Sequence, residues 1–352
     1  MNTIEQQTAE AIYSEMPKLS VEIAKQQQPQ RSDIAPKYGL NEPKFGDYAK
    51  YDLHQLAEAI TANDPQQFAR YELWQRSMLK GHRVPDFFVE LNLATEQGAL
   101  AKVLAPEFQP VISRFMQSAR EALKGDDNSN QSFINAAGKH PQLAKEYLDL
   151  LIAGDREKAS ELVNTAIHDG VSIRDIYLSV FKPCLYEVGR LWQTGQITVA
   201  HEHFISAATQ MIMSELYPQI RKLMPKNGKV AIAACVSGEL HEIGLRMGAD
   251  ILEMEGWQTF YLGANMPALS IIDMIKDKKA QLLILSCCLP INAPALRELI
   301  SIIKEKLDDG VKIIIGGYTI SNNPAYAASF GADAAATDAG EIISLANILV
   351  KT

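Results

Sequence analysis

A chain of 352 residues, 47% of them apolar, is long enough for two or three domains with real cores. Its net charge of −8, with only short mixed basic patches such as Arg221-Lys222 and Lys276 to Lys279, excludes direct nucleic-acid binding through a phosphate-tracking surface. No apolar run is long enough to span a bilayer, and Met1 to Gln6 does not read as a secretory signal, so a cytoplasmic protein is expected. Cys184, Cys235, Cys287 and Cys288 show no Cys-x-x-Cys spacing and are expected as reduced core thiols.

Residues 1–45 are expected to be a disordered or extended arm, because Gln26-Gln27-Gln28-Pro29-Gln30 is polar and carries a helix breaker. Residues 46–124 read as a helical bundle. Residues 125–141 read as a linker, opening on the polar run Lys124-Gly125-Asp126-Asp127-Asn128-Ser129-Asn130-Gln131. Residues 142–225 are helical nearly throughout, with breaks at Gly154-Asp155 and Gly170, a count that suits a four-helix bundle. Within it, Val188-Gly189-Arg190-Leu191-Trp192 ends an apolar helix, and Gln193-Thr194-Gly195-Gln196 is a turn. Ile197 to Glu215 is a further helix carrying Glu202-His203.

The two helical segments parallel each other. Leu56 to Asp64 runs like Tyr147 to Asp155, and Gly81 to Phe88 like Gly170 to Tyr177. Thr95-Glu96-Gln97-Gly98 falls where Tyr186-Glu187-Val188-Gly189 falls, but no Trp and no Glu-His follow it. Residues 46–124 are therefore read as a degenerate copy of the second bundle.

Residues 226–352 alternate strand and helix. Strands are expected at Val230 to Val236, Thr259 to Leu262, Gln281 to Leu285 and Val311 to Ile315. Helices are expected after Gly244, at Leu269 to Lys278, Ala293 to Leu307 and Pro324 to Phe330. Such alternation argues for an α/β fold with a parallel sheet and helices on both faces. The strand ends then carry His241, Gly263, Ser286 and Gly316-Gly317 along one edge, where open α/β sheets bind ligands and where small residues leave room for close approach.

Glu239-Leu240-His241-Glu242-Ile243-Gly244 sits between the first strand and its helix. A lone loop histidine is ordinarily a surface histidine, but neutral imidazole is also the commonest metal ligand, and a neighbouring carboxylate can fix its tautomer. The whole pattern resembles the cobalamin-binding domain of corrinoid proteins, whose motif reads Asp-x-His-x-x-Gly, then Ser-x-Leu, then Gly-Gly. Glu239 stands at the Asp position; His241, Gly244, Ser286 and Gly316-Gly317 match; Leu289 follows Ser286 by one residue more than usual. The resemblance implies a Rossmann-like, flavodoxin-like domain behind the N-terminal helical bundles. It implies His241 as the lower cobalt ligand with Glu239 behind it and Leu240 and Ile243 beside it. Gly263, Ser286, Leu289, Gly316 and Gly317 would shape a slot for the nucleotide tail.

The Glu-for-Asp change is shared with the cobalamin-dependent photoreceptor regulators of that family. The spacing from Trp192 to Glu202-His203 is similar to the Trp…Glu-His motif of their helical cap. That likeness implies Trp192 against the upper corrin face, Glu202 holding an adenosyl group, and His203 as a second cobalt ligand once light removes that group. The expectation is a non-enzymatic, light-responsive sensor binding adenosylcobalamin or another cobalamin form. No helix-turn-helix precedes the cap, so its output would be contact with a transcription factor or signalling enzyme, and a homo-oligomer is compatible with this. The alternative is a corrinoid carrier for methyl transfer between methyltransferases. A mutase would need a substrate barrel for which there is no room. The first bundle is expected as a dimerisation or signalling module, or, with His54, His82 and Trp74, as a second chromophore site.

Overall fold

A computed structural model of the chain describes residues 3–32, 45–125, 131–222, 226–307, 310–321 and 323–351. Its contacts divide into two units: Met1–Gln131 with Arg190–Ile197, and Ser132–Gly189 with Thr198–Thr352.

The first unit is helical: α1 (Ile4–Ser14), α2 (Met16–Ser32), α3 (Phe45–Thr61), α4 (Pro65–Gly81), α5 (Phe87–Val103) and α6 (Gln109–Leu123). The expected arm is thus corrected over residues 4–32. Ile12, Met16, Leu19 and Ile23 recur at helical spacing and bury against the bundle. The glutamines behind them are good helix formers, and buried Gln27 donates to Asn92 Oδ1 and Thr95 Oγ1, both at 3.1 Å. Residues 33–44 and 126–130, also expected as arm and linker, lie outside the described residues.

The same turn recurs in both helical segments. Asn63 and Gly154 are left-handed, the next residue's N–H closes back on Ala59 or Leu150, and Asp64 and Asp155 cap the following helix. Arg83 and Gly170 are likewise left-handed, with Val84 N–H bonding Leu79 O and Val171 N–H bonding Ala166 O. The structural counterpart of Gly170 is therefore Arg83, two residues beyond Gly81. The intervening helix α4 has 17 residues where its counterpart has 13. His54 lies against Tyr13, Trp74 stacks on Tyr71, and His82 faces Trp192, so the three residues occupy three separate settings.

The second unit opens on residues 132–140, which are tied down rather than free: Phe133 N–H donates to Glu187, and Lys139 pairs with Asp175. Four helical stretches follow. They are α7 (Pro141–Ile152), α8 (Arg156–His168), a broken third made of α9 (Ile173–Asp175), a π-helical stretch (Ile176–Phe181) and α10 (Lys182–Gln193), whose residues from Arg190 on are counted with the first unit, and α11 (Val199–Ile220). Pro183 has no N–H to offer the preceding turn, and the π-helical widening just before it absorbs the mismatch.

The α/β part follows: β1 (Val230–Cys235), α12 (Ile243–Met254), β2 (Gln258–Gly263), α13 (Ala268–Lys278), β3 (Leu282–Ser286), α14 (Ala293–Lys306), β4 (Lys312–Gly316), α15 (Tyr318–Ser321), α16 (Pro324–Ala328), β5 (Ala334–Ala335) and α17 (Ile342–Leu349). All strand pairs are parallel, in the order β2-β1-β3-β4-β5. The fold is the expected Rossmann-like, flavodoxin-like one. β1 and β3 are buried on both faces, which explains their unbroken apolar runs. The short β5 and α17 carry too few residues to have shown a period. In this strand order the chain reverses direction between β1 and β3, and ligands of such sheets bind in the crevice beyond that point.

Within this unit the helices pack on the sheet layer through polar anchors as well as apolar ones. Arg246 donates to Gln210 O and Ser214 Oγ, Lys182 meets Asp338, and Tyr177 donates to Asp250 at 2.8 Å. Burial lifts the Asp250 carboxyl to about 6, against the opposing pull of the Tyr177 hydroxyl and the Arg246 charge and with some help from Glu253. A raised carboxyl stabilises the fold only below its unfolded value. Its contribution is therefore full below about pH 4 and is lost as pH climbs through 6, a swing of roughly 3 kcal/mol. Asp250→Asn keeps an acceptor for Tyr177 without the charge. It is expected to be more stable than the parent at pH 7.5 and equal to it near pH 4 in urea unfolding; a difference independent of pH would refute this reading.

Candidate metal and cofactor site

The end of β1 turns sharply. Gly238 is left-handed, and a side chain there would stand 2.7 Å from Asn292 Oδ1. Its N–H donates to Asn265 Oδ1 at 2.8 Å, and Asn265 N–H returns a bond to Glu239 O at 2.9 Å. The loop 237–242 is thereby pinned between the loops that follow β2 and β3.

Glu239 points inward and is fully buried. Its Oε2 accepts from the Cys288 N–H (2.7 Å), the Leu289 N–H (3.0 Å) and Asn292 Nδ2 (3.0 Å). Its Oε1 accepts from the His241 N–H (3.0 Å) and faces His241 Nδ1 at 2.6 Å. Burial would push this carboxyl up, but the bonds from His241 and Asn292 outweigh it and hold it at about 2. The carboxylate in turn raises the pKa of His241 against burial, and the Glu202 charge adds to the effect. With Nδ1 committed to Glu239, Nε2 carries the lone pair and faces outward on a side chain 60% exposed.

The other expected residues divide. Leu240 is exposed beside His241, and Ile243 and Gly244 open α12. A side chain at Gly244 would meet nothing within 4 Å. Ser286 lies level with Cys235 and Gly316 across the sheet edge. Leu289 takes part through its backbone N–H. Gly263 is left-handed, and a side chain there would come within 3.0 Å of Glu242 Oε2. Gly316 has ordinary room, 3.5 Å to Ala336 O. Gly317 does not: the space expected for a ligand is filled by the Cys287 backbone, 2.3 Å from where a side chain would begin.

On α11, Glu202 accepts from Ser206 Oγ at 2.9 Å and hydrogen-bonds His203 Nδ1, whose ring is largely exposed. The neighbouring His201 meets Thr198 Oγ1 at the start of that helix. Trp192 falls in the other unit, where its ring is 5.9 Å from that of His82.

Sequence reasoning missed Asn265, Asn292, Thr319 and Tyr186. Thr319 donates to Cys288 O at 2.7 Å, which holds the peptide that feeds Glu239. Tyr186, half exposed on α10, has its pKa raised chiefly by burial, with Cys288, Tyr318 and Asp338 nearby adding to the effect. Asn265 carried a signal, a polar residue just past the end of β2.

The donor set decides what this site can hold. Among the described residues no three His, Cys, Asp or Glu side chains gather as a metal cage. His241 Nε2, backed by a buried carboxylate, could contribute one nitrogen to a metal whose other ligands come with a cofactor. Among the described residues, no helix is long and apolar enough to cross a membrane.

Residues 143–217 and residues 229–345 each match a family model described as a B12 binding domain. The chain is 25% identical over 209 residues to a corrinoid protein of Desulfitobacterium hafniense, covering 58% of this chain and 96% of that one. It is 28% identical over 170 residues to a dimethylamine corrinoid protein of Methanosarcina mazei, covering 47% and 98%. The monomethylamine corrinoid protein of Methanosarcina barkeri superposes with a TM-score of 0.54 at 24% identity, over 60% of this chain and all of the other, which establishes the shared fold. The similarity thus runs to corrinoid proteins rather than to the expected light-dependent regulators.

Proposed function

Because residues 143–217 and 229–345 are B12 binding domains and the chain is therefore a cobalamin-binding protein, we propose that it serves as a corrinoid carrier, docking with methyltransferase partners. The observation behind this is the Glu239–His241 pair, an outward Nε2 held by a buried carboxylate at the sheet's switch point. The relatives, named as corrinoid proteins and not as enzymes, support it. Bound there, the corrinoid would supply a cobalt able to take up and release a methyl group. The chain's own residues do the rest. His241 would offer Nε2 to the cobalt, Glu239 would keep the proton on Nδ1, and the loops after β1, β3 and β4, with Ser286, Leu289 and Gly316, would flank the bound group.

His241→Ala is expected to weaken hydroxocobalamin binding at least ~10-fold and to remove the spectral signature of nitrogen coordination to cobalt. An unchanged spectrum would rule out the lower-ligand role. Gly244→Ala separates fold from site. With open space around it the variant should fold as stably as the parent or better, since alanine exceeds glycine in a helix by about 0.5–1 kcal/mol. Its cobalamin affinity should drop several-fold; unchanged affinity would show that no cofactor approaches this turn.

A sensor reading is favoured by one observation: α11 carries a second imidazole, His203, beside Glu202, whose charge reaches His241. In that reading Trp192, Glu202 and His203 would take the upper face of adenosylcobalamin. The deciding experiment records absorption spectra and size-exclusion profiles with adenosyl- and methylcobalamin, in the dark and after green light. Tight methylcobalamin binding with no light-driven change in size supports the carrier. A light-driven change in oligomeric state with adenosylcobalamin transfers the assignment to the sensor. The recurring turns support the first bundle as a diverged copy of the second, without its cofactor residues.

A further inference from the structure

Part of the core of the first bundle is polar. Asp52 on α3, Glu72 and Gln75 on α4, and Asn92 and Thr95 on α5 are buried, as is Gln27 on α2. Most of them form a chain of bonds. The Tyr71 hydroxyl donates to Asp52 Oδ1 at 2.5 Å, and Gln75 Nε2 donates to the same oxygen at 2.8 Å. Asn92 Nδ2 reaches Gln75 Oε1 at 3.5 Å, and Gln27 closes on Asn92 and Thr95. Glu72 is the exception. It is 1% exposed, and its Oε2 has no hydrogen-bond partner. The charges that face it are Asp52 from α3 and Glu90 from α5, both of its own sign, and Tyr71 lies beside it on α4. Among the described residues no Lys or Arg of α3, α5 or α6 offsets them.

A buried carboxylate that nothing compensates costs far more than a neutral carboxyl, so the two acids divide the roles. Asp52 gathers donors on Oδ1 and keeps the charge. Glu72, with an oxygen that no donor reaches, keeps the proton: burial first, then Asp52 and Glu90, push its pKa well above the ordinary carboxylate value. The second bundle has no such pair at this place. Counted from the capping aspartates, Asp64 and Asp155, Glu72 falls where Val163 falls, and Val163 is fully buried. A valine there needs no proton. A glutamate makes closure of the first bundle depend on one.

Helix α4 also holds a loop. Residues Arg190–Ile197 belong to the same unit. Gly81, at the end of α4, and left-handed Gly195 meet backbone to backbone. A side chain on Gly195 would begin 2.1 Å from the Gly81 carbonyl oxygen, and one on Gly81 would begin 2.5 Å from the Thr194 carbonyl carbon. Buried Gln193 reaches Trp74 O, again on α4, at 3.4 Å. One helix thus carries both the unpartnered acid and the seat of this loop.

We propose that Glu72 is a proton switch in the first bundle: with its proton the bundle is closed and α4 holds the Arg190–Ile197 loop, and loss of that proton to water lets α4 part from α3 and release the loop. The sign follows from the direction of the shift. A raised carboxyl contributes its stabilisation in full below about pH 4.5 and loses it as pH climbs through the raised value.

The test is hydrogen exchange on the full chain from pH 5 to pH 9, with each rate divided by the intrinsic rate at that pH so that only opening is read. One proton released on opening should lower protection over α4 and residues 190–197 by about 10-fold per pH unit above pH 5, until Glu72 ionises in the closed bundle. Glu72→Gln keeps the shape of the neutral acid and should abolish this slope. Asp52→Asn keeps the acceptor for Tyr71 and Gln75 without its charge, and should end the slope about one pH unit lower. That shift decides the matter even if Glu72→Gln does not fold. A slope common to the parent and Glu72→Gln, or an end point that Asp52→Asn leaves in place, overturns the switch. Protection that follows pH over α4 but not over 190–197 overturns the hold on the loop.

Discussion

Glu239→Ala is expected to destabilise the second unit by about 3–5 kcal/mol and to abolish the nitrogen-coordinated cobalt spectrum at the same time. The size follows from what the carboxylate gathers. Five donors converge on its two oxygens, three from the loop after β3 and two from His241. Alanine leaves the Cys288 and Leu289 N–H groups and Asn292 Nδ2 facing one another across a dry gap, each short of an acceptor. Glu239→Gln is no rescue, because an amide nitrogen at either end would meet donors and not acceptors. Glu239→Asp keeps the charge on a shorter arm, and should lose the contacts to the β3 loop before the one to His241.

The sign of the pH effect gives a second check. The native carboxyl is held at about 2, below the usual 4.5, so its stabilising contribution is present above about pH 4.5 and is lost only as pH falls through 2. The gap between parent and alanine variant should therefore close under acid, and it should also narrow as pH rises above about 6.5, because the carboxylate raises the His241 imidazole and that part of its contribution is lost as His241 gives up its proton. A variant within about 0.5 kcal/mol of the parent in urea would remove Glu239 from the centre of the site.

How much of this was legible follows from the range of the interactions. The β1–α12 loop was legible because its parts are local: an apolar strand, a glycine break, and a carboxylate two residues before a histidine that it can reach. The sheet was legible because buried parallel strands leave long apolar runs. Asn292 was not, because its role depends on a contact to Glu239, 53 residues away, and nothing local distinguishes it from any helix-opening asparagine. The N-terminal helices were masked by composition. Glutamines score as polar, yet Gln27 is buried by partners in α5 that only folding supplies. The setting of Trp192 was hidden for a related reason. Its spacing to Glu202-His203 says nothing of Gly81, which meets its loop only through backbone.

Gly317→Ala is the second large expected effect, and it separates two reasons for a glycine. Its φ of +108° lies where L-residues are strained, and a methyl group would sit 2.3 Å from the Cys287 carbonyl oxygen and 2.6 Å from its carbon. Neither atom can yield cheaply. The Cys287 N–H bonds Gly316 O at 2.9 Å, and the next N–H, that of Cys288, is the shortest of the backbone bonds to Glu239. A shift that relieves the clash must pull this peptide away from the carboxylate and so loosen His241. A loss of about 3 kcal/mol or more is expected in thermal or urea unfolding, with weakened cobalt coordination in whatever folds. Gly316→Ala, one residue earlier and 3.5 Å from its nearest neighbour, should cost less than about 1 kcal/mol. Equal costs for the two would place the strain in the strand end generally and not in the crossing at Gly317. The expected difference means that the chain itself demands the second glycine of the pair. Only Gly244 and Gly316 then remain positions where smallness leaves room for a ligand.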